Sequence, residues 1–115
     1  MRTNMENPRI ENPNIGPGMR WQVTTLADAA ATLNANMGPV LYIKPTVTRT
    51  LTLPAATAAL KGLTFIVLNA AAFTVVVQNP TPTTVATVPA TVGATGVFVC
   101  LGDTALGVGG WSGGL

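Results

Sequence analysis

The side chains able to move protons, attack an electrophile or hold a metal are few in this chain and stand apart. It has no histidine, one cysteine and four carboxylates. Glu6 and Glu11 lie in a proline-rich N-terminal stretch, which leaves Asp28 and Asp103 for any acid–base pair. Two carboxylates that hydrolyse a glycoside must face each other across ~5–10 Å on a rigid wall. Asp28 instead stands near the start of an alanine–leucine run, where a carboxylate complements a helix dipole. Asp103 stands in the turn Gly102-Asp103-Thr104. Without histidine there is no imidazole base and no imidazole metal ligand. Cys100 alone cannot form an intrachain disulfide or a cysteine-based metal cage. In the run Gly96 to Leu101 it reads as a small buried hydrophobe, with a reactive thiol as the alternative. Gly107-Val108-Gly109-Gly110 lacks the Gly-Lys-Ser/Thr ending of a phosphate loop. Trp21, Tyr42 and Trp111 lie in separate segments and read as core or interface anchors. This inventory argues against an enzyme, and it assigns no catalytic, metal or cofactor-binding residue.

The distribution of charge says more than the reactive groups do. From Gly62 to Leu115 the one charged side chain is Asp103. Charged residues are 9% of the chain, against roughly a quarter in an ordinary soluble domain. A surface of threonine, alanine and glycine is poorly defended against association, so the composition reads as one piece of an assembly. The basic residues Arg2, Arg9, Arg20, Lys44, Arg49 and Lys61 are scattered singly, with a net charge of +2. A nucleic-acid binder shows a clustered basic patch, so none is expected as a partner. No run reaches the ~18 apolar residues of a membrane span. The N-terminus has no apolar signal core, so a chain made and kept in a cytoplasm until it joins an assembly is expected.

The elements that must position these residues follow from periodicity. Apolar residues make up 48% of the chain but aromatics only 5%, so a thin aliphatic core is expected in one domain over 21–115. Leu26, Ala29, Ala30 and Leu33 share one face of a predicted short helix over 26–33, capped by Thr24 or Thr25. From Pro39 the period becomes two. Strands are predicted at Val40–Ile43, Thr48–Leu53, Leu63–Asn69, Phe73–Gln78, Val85–Val88 and Gly96–Leu101. In the second, Arg49, Leu51 and Leu53 share a face opposite the threonines. The run Phe65-Ile66-Val67-Leu68 is apolar on both faces, as in a strand covered on both sides. Ala70-Ala71-Ala72 reads as a short hairpin loop, Pro54–Leu60 as a helical turn, and Trp111 as an anchor in a flexible glycine frame. Short strands with Pro/Gly punctuation give an all-β fold, a compact β-sandwich or barrel with one or two short helical turns and an extended N-terminal arm.

Residues 1–20 form that arm. They carry an imperfect repeat, Glu6-Asn7-Pro8-Arg9-Ile10 then Glu11-Asn12-Pro13-Asn14-Ile15, followed by Gly16-Pro17-Gly18. Each Asn precedes Pro and is biased to extended geometry, and no helix or central strand survives the sequence. Such an arm cannot make its own core. Ile10 and Ile15 are expected to anchor it on a partner, with Arg9 and Arg20 at the rim.

Leu51-Thr52-Leu53-Pro54-Ala55-Ala56, Lys61-Gly62-Leu63-Thr64-Phe65-Ile66-Val67-Leu68-Asn69, Phe73–Val77 and the ending Val97–Asp103 with Trp111 resemble β-rich modules of tailed-bacteriophage virion proteins. The resemblance covers roughly residues 40–112. Two departures stand out: the basic corner reads Lys61-Gly62 rather than Gly-Lys, and Thr91–Gly96 replaces an Asp-Gly-Thr-rich loop. The resemblance implies a structural virion protein. A short chain with an arm fits a capsid decoration, or cement, protein on the outer shell, bridging major capsid protein subunits as a homo-oligomer, with a trimer favoured. The alternative it implies is a short tail- or head-fibre or baseplate piece that recognises a host glycan or another tail protein. An exposed Tyr42 or Trp111 beside Asn or Asp would favour the glycan reading.

Overall fold

The computed structural model describes residues 20–114, and these are nearly all β. Nine strands form two sheets: β1 (Val23–Thr25), β3 (Val40–Ile43), β5 (Thr64–Asn69), β8 (Ala94–Cys100) and β9 (Trp111–Gly114) in the first, and β2 (Ala31–Thr32), β4 (Arg49–Thr52), β6 (Val75–Gln78) and β7 (Thr84–Val88) in the second. The chain alternates between the sheets. Through β6 every strand pairs in parallel with the strand two before it. The first six strands are therefore three stacked turns of a flattened coil. A parallel neighbour needs a long crossover, and here each crossover contains a strand of the opposite sheet. β7, β8 and β9 then close both sheets with antiparallel pairs.

The core lies between the sheets. Leu41, Ile43, Phe65, Val67 and Phe98 enter from the first, and Leu51, Val75, Val77 and Val88 from the second, all with no exposed surface. Burial of a side chain of this size stabilises by roughly 1.5–3 kcal/mol. Trp111 is the largest buried residue and stacks on Phe65, with ring centroids 6.0 Å apart and 22° between planes. Its indole Nε1 donates to the Pro54 carbonyl at 2.9 Å. The glycine-rich ending of the chain is thus held in strand β9, rather than being a flexible frame around one anchor.

Three further expectations are corrected. The first is the helix over 26–33. Leu26 donates its N–H to Tyr42 and Leu33 to Thr52, with β2 between them. An isolated helix of this length is marginal because nucleation is costly. The edges of β3 and β4 offer the same backbone partners together with a core for Leu33. The second is the hairpin of Leu63–Asn69 with Phe73–Gln78, whose strands lie in different sheets. Ala70 instead donates to Ile43, making the alanines a corner between sheets. The third is the strand covered on both faces. In β5, Phe65, Val67 and Asn69 are buried, but Thr64, Ile66 and Leu68 are only half-buried.

Other expectations hold. The strands from Val40 onward appear within a residue or two, the turn after Pro54 contains a single 3-10 turn at Ala58–Leu60, and Cys100 is buried.

Candidate interaction surfaces

Side chains alternate across a strand, so half of the first sheet faces away from the core. Register aligns that half into rows. Val23 pairs with Val40, Val40 with Ile66, Ile66 with Val97, and Val97 with Gly114. A second row runs Thr25, Tyr42, Leu68, Thr95. Val23 is 53% exposed and Val97 42%. Among the described residues, the nine strands carry one charged side chain, Arg49 of β4. The outer face of the first sheet is thus uncharged across five strands, with an aliphatic row over four of them beside a mixed row of threonine, tyrosine and leucine. Trp21, two residues before β1, is also exposed.

The outer face of the second sheet differs. Its row is Thr32, Thr52, Gln78 and Thr84, and Gln78 Nε2 donates to Thr52 Oγ1 at 3.1 Å. Ala30, Ala31, Thr32, Thr50, Thr52 and Gln78 line a shallow, open depression there. Its threonine hydroxyls and the Gln78 amide make this face more polar than the outer face of the first sheet.

Asp28 is not a helix-dipole partner, since there is no helix. Its Oδ1 accepts from Arg49 Nε at 2.8 Å and from the Thr46 N–H at 3.1 Å, and its Oδ2 accepts from Thr46 Oγ1 at 2.6 Å. The Arg49 bond, then the two from Thr46, lower its pKa from 3.8 to about 2. Arg49 stands on the Leu51 side of β4, as the alternation predicts, and bends at the rim to meet the acid. This is a structural clamp. Asp103 is the turn residue expected, its Oδ1 accepting from the Ala105 N–H at 2.9 Å. Among the described residues no three His, Cys, Asp or Glu side chains gather where a metal could sit. Nor is any helix among the described residues long and apolar enough to cross a membrane.

Two buried asparagines, unmarked by any sequence signal, stand at equivalent strand ends. Asn69 at the end of β5 is fully paired. Its Nδ2 donates to Phe73 O and Pro89 O, and its Oδ1 accepts from Ala71 N–H. Asn79, just past β6, is 2% exposed. Its Oδ1 accepts from the N–H groups of Thr81 and Thr83 and from the Thr81 hydroxyl. Those two backbone donors fix the amide orientation. Nδ2 is left without a protein acceptor among the described residues, and it lies against Gly109. Asn79 borders a cleft of about 310 Å³ lined by Ala55, Ala56, Pro80, Thr81, Thr104 and Gly109.

Of the residues expected to contact a partner, Arg9, Ile10 and Ile15 lie outside the described residues. Arg20, the first described, is exposed and precedes β1. The outer-face row was not assigned from sequence, because it depends on which strands pair. Comparison with protein-family models, with curated proteins and with solved structures gives no match.

Proposed function

We propose that this chain is a structural component of a virion, a decoration protein that binds the outside of a tailed-phage shell, bridges major capsid protein subunits and associates with copies of itself. The observation that carries the reading is the uncharged aliphatic row Val23–Val40–Ile66–Val97 across four of the five strands of the first sheet. Contiguous apolar patches of about 300–600 Å² on a soluble chain are commonly functional. A face with no charge fits an equally uncharged surface and has no field with which to select a charged ligand. Paucity of acid–base groups removes the means of catalysis rather than adding a function. The phage assignment itself rests on the sequence resemblance over residues 40–112. Residues 1–20, proline-rich and repeat-bearing, act as the arm that grips the shell. Stabilisation of the shell then follows occupancy by mass action.

The fibre reading draws less support. Trp111, the aromatic that would stack on a sugar, is wholly buried, and Tyr42 is flanked across the sheet by Thr25 and Leu68 rather than by Asn or Asp. Co-sedimentation of the purified chain with decoration-free capsids tests the reading, together with its position in intact particles by electron microscopy. Saturable binding on the shell surface is expected. A chain found in the tail, or one that ignores shells, overturns it.

A further inference from the structure

We infer that β1 is a docking edge for a second copy of this chain, the two β1 strands pairing antiparallel about a two-fold axis at Thr24, so that the first sheet runs on from one copy into the next. The inference rests on the self-association in the reading above, and it names a contact through which copies meet.

The coil has two unlike ends. At one end the chain closes on itself. There β7 lies against both β8 and β9, and a Cβ on Gly113 of β9 would stand 3.1 Å from Val85 Cγ1 of β7. A register shift marks the β6–β7 pair at Val77/Gln78, and Pro82 and Pro89 flank β7. Bulges and prolines keep a sheet edge from pairing further. At the other end β1 and β2 are the outer strands, one in each sheet. Gln22 to Thr25 and Ala30 to Thr32 include no charge, proline or glycine.

The direction of the free backbone groups follows from the bonds already made. Val40 donates its N–H to Gln22, and Leu26 donates to Tyr42, so the even-numbered residues of this segment bond β3. Groups on alternate residues of a strand point to opposite sides. The N–H and C=O of Val23 and Thr25 therefore point out along the sheet edge, with no partner among the described residues. Leu33 donates to Thr52, which puts Thr32 in the same position on β2.

Three observations select a second copy. The first is symmetry. Copies joined by this edge meet head to head, and such a two-fold contact closes. The second is register. With the axis at Thr24, Val23 faces Thr25 of the second copy and Thr25 faces its Val23, and the two narrow pairs exchange about four N–H···O bonds. The third is what flanks the strand. Counting outward from the axis, Trp21 falls opposite Ala27 of the second copy, and Arg20 opposite its Asp28. Trp21 and Ala27 are both exposed, so each gains a cover, and the cation beside the edge meets the acid beside it. The axis is normal to the sheet, so the same rotation turns β2 toward its own copy. The aliphatic row ending at Val23 then continues into the Thr25–Tyr42–Leu68 row of the second copy, extending the uncharged face.

A strand of three residues is a small contact, where a stable interface buries about 800 Å² per partner. It forms in concentrated solution, or between copies already held side by side, where effective concentration is high. It makes pairs, where the resemblance implies trimers.

The test is amide hydrogen exchange on full-length, ¹⁵N-labelled protein carrying Val97→Lys, so that the outer face does not contribute. In dilute protein Val23 and Thr25 should exchange fast and Thr24, bonded to β3, slowly. Between about 10 µM and about 1 mM, exchange at Val23 and Thr25 should slow at least tenfold as pairs form. Thr25→Pro in the same protein removes an outward donor and leaves the bonds to β3 intact. It should abolish the slowing at Val23, with circular dichroism unchanged. Arg20→Asp sets acid against acid and should raise the concentration needed severalfold. Slow exchange already present in dilute protein means the chain's own residues cover the edge, and overturns the inference. So does exchange that stays fast at every concentration, slowing that survives Thr25→Pro, or indifference to Arg20→Asp. Slowing that appears only when decoration-free capsids are added makes coat protein the occupant and overturns the second copy. Capsid co-sedimentation is read separately: a chain that ignores shells defeats the proposed function and leaves the edge result standing.

Discussion

Arg49 Nε donates to Asp28 Oδ1 at 2.8 Å, tying the loop between β1 and β2 to the first residue of β4. Both side chains are about one-quarter to one-third exposed, at 26% and 33%. The pair fixes where the chain crosses from one sheet to the other, and Thr46 completes it with two more bonds to the same carboxylate. Its dependence on pH follows directly. A carboxyl whose folded pKa is depressed stabilises the fold above its unfolded pKa, and that contribution fades as pH falls through the folded value. For Asp28 the window runs from 3.8 down to about 2. Urea midpoints should therefore fall as pH drops from about 4 to 2. Asp28→Asn should be less stable than wild type at pH 7 and should show a flatter profile in that window. Equal slopes for the two proteins would remove the clamp from the stability of the fold.

Trp111→Phe tests the other tie, between β9 and the segment after β4. It removes the bond from Nε1 to Pro54 O and part of the stack on Phe65. An unsatisfied buried carbonyl costs about 1–3 kcal/mol, and loss of buried ring volume adds to it. A total loss of about 2–4 kcal/mol is expected from chemical denaturation. A variant within about 0.5 kcal/mol of wild type would mean the indole nitrogen is not a structural donor.

Gly110 and Gly93 separate backbone strain from collision. Their φ angles are nearly equal, 89° and 87°, in the region that costs an L-residue about 1–2 kcal/mol. A Cβ on Gly93 meets nothing within 4 Å, whereas one on Gly110 runs into Ala56 and the Asp103 carbonyl. Gly93→Ala should cost about 1–2 kcal/mol. Gly110→Ala should cost distinctly more, and should also disturb the Asn79 cleft, which Ala56 lines. Similar melting temperatures for the two variants would contradict the crowding at Gly110.

These variants also mark how far the sequence could be read. Alternation identified the strands from Val40 onward, because Leu41/Ile43, Leu51/Leu53 and Val75/Val77 each put branched residues on one side. It could not identify their partners. Parallel coil and antiparallel hairpin present the same alternation, and Ala70-Ala71-Ala72 carries no glycine or asparagine to demand a tight turn. Leu26 to Leu33 misled for a physical reason: its leucines are spaced for one helical face, yet both are used at opposite ends of a coil turn. Asp28 was legible as a charge and illegible as a clamp, since Arg49 and Thr46 approach it only after β4 is placed. The Asn79 cleft needs three distant segments and had no local signal.

The last prediction concerns the uncharged face. If the row Val23–Val40–Ile66–Val97 is an interface, one charge within it should abolish association and leave the fold intact. Val97 is the position to use, because it is 42% exposed and its side chain points away from the core. Val97→Lys therefore buries no charge in the monomer. In an assembled face the ammonium must be desolvated without a partner, at a cost of several kcal/mol. Across a self-contact it would also meet other copies of itself. Thr50→Lys on the outer face of the second sheet is the control, since it adds the same charge to a surface already rich in hydroxyls. Sedimentation equilibrium at micromolar concentration should show wild type and Thr50→Lys as the same oligomer and Val97→Lys as monomer, all three with matching circular dichroism. Val97→Lys that assembles like wild type would show that this face is not where copies meet. A wild type that is itself monomeric at that concentration would remove self-association from the proposal, and leave the face for coat protein to cover.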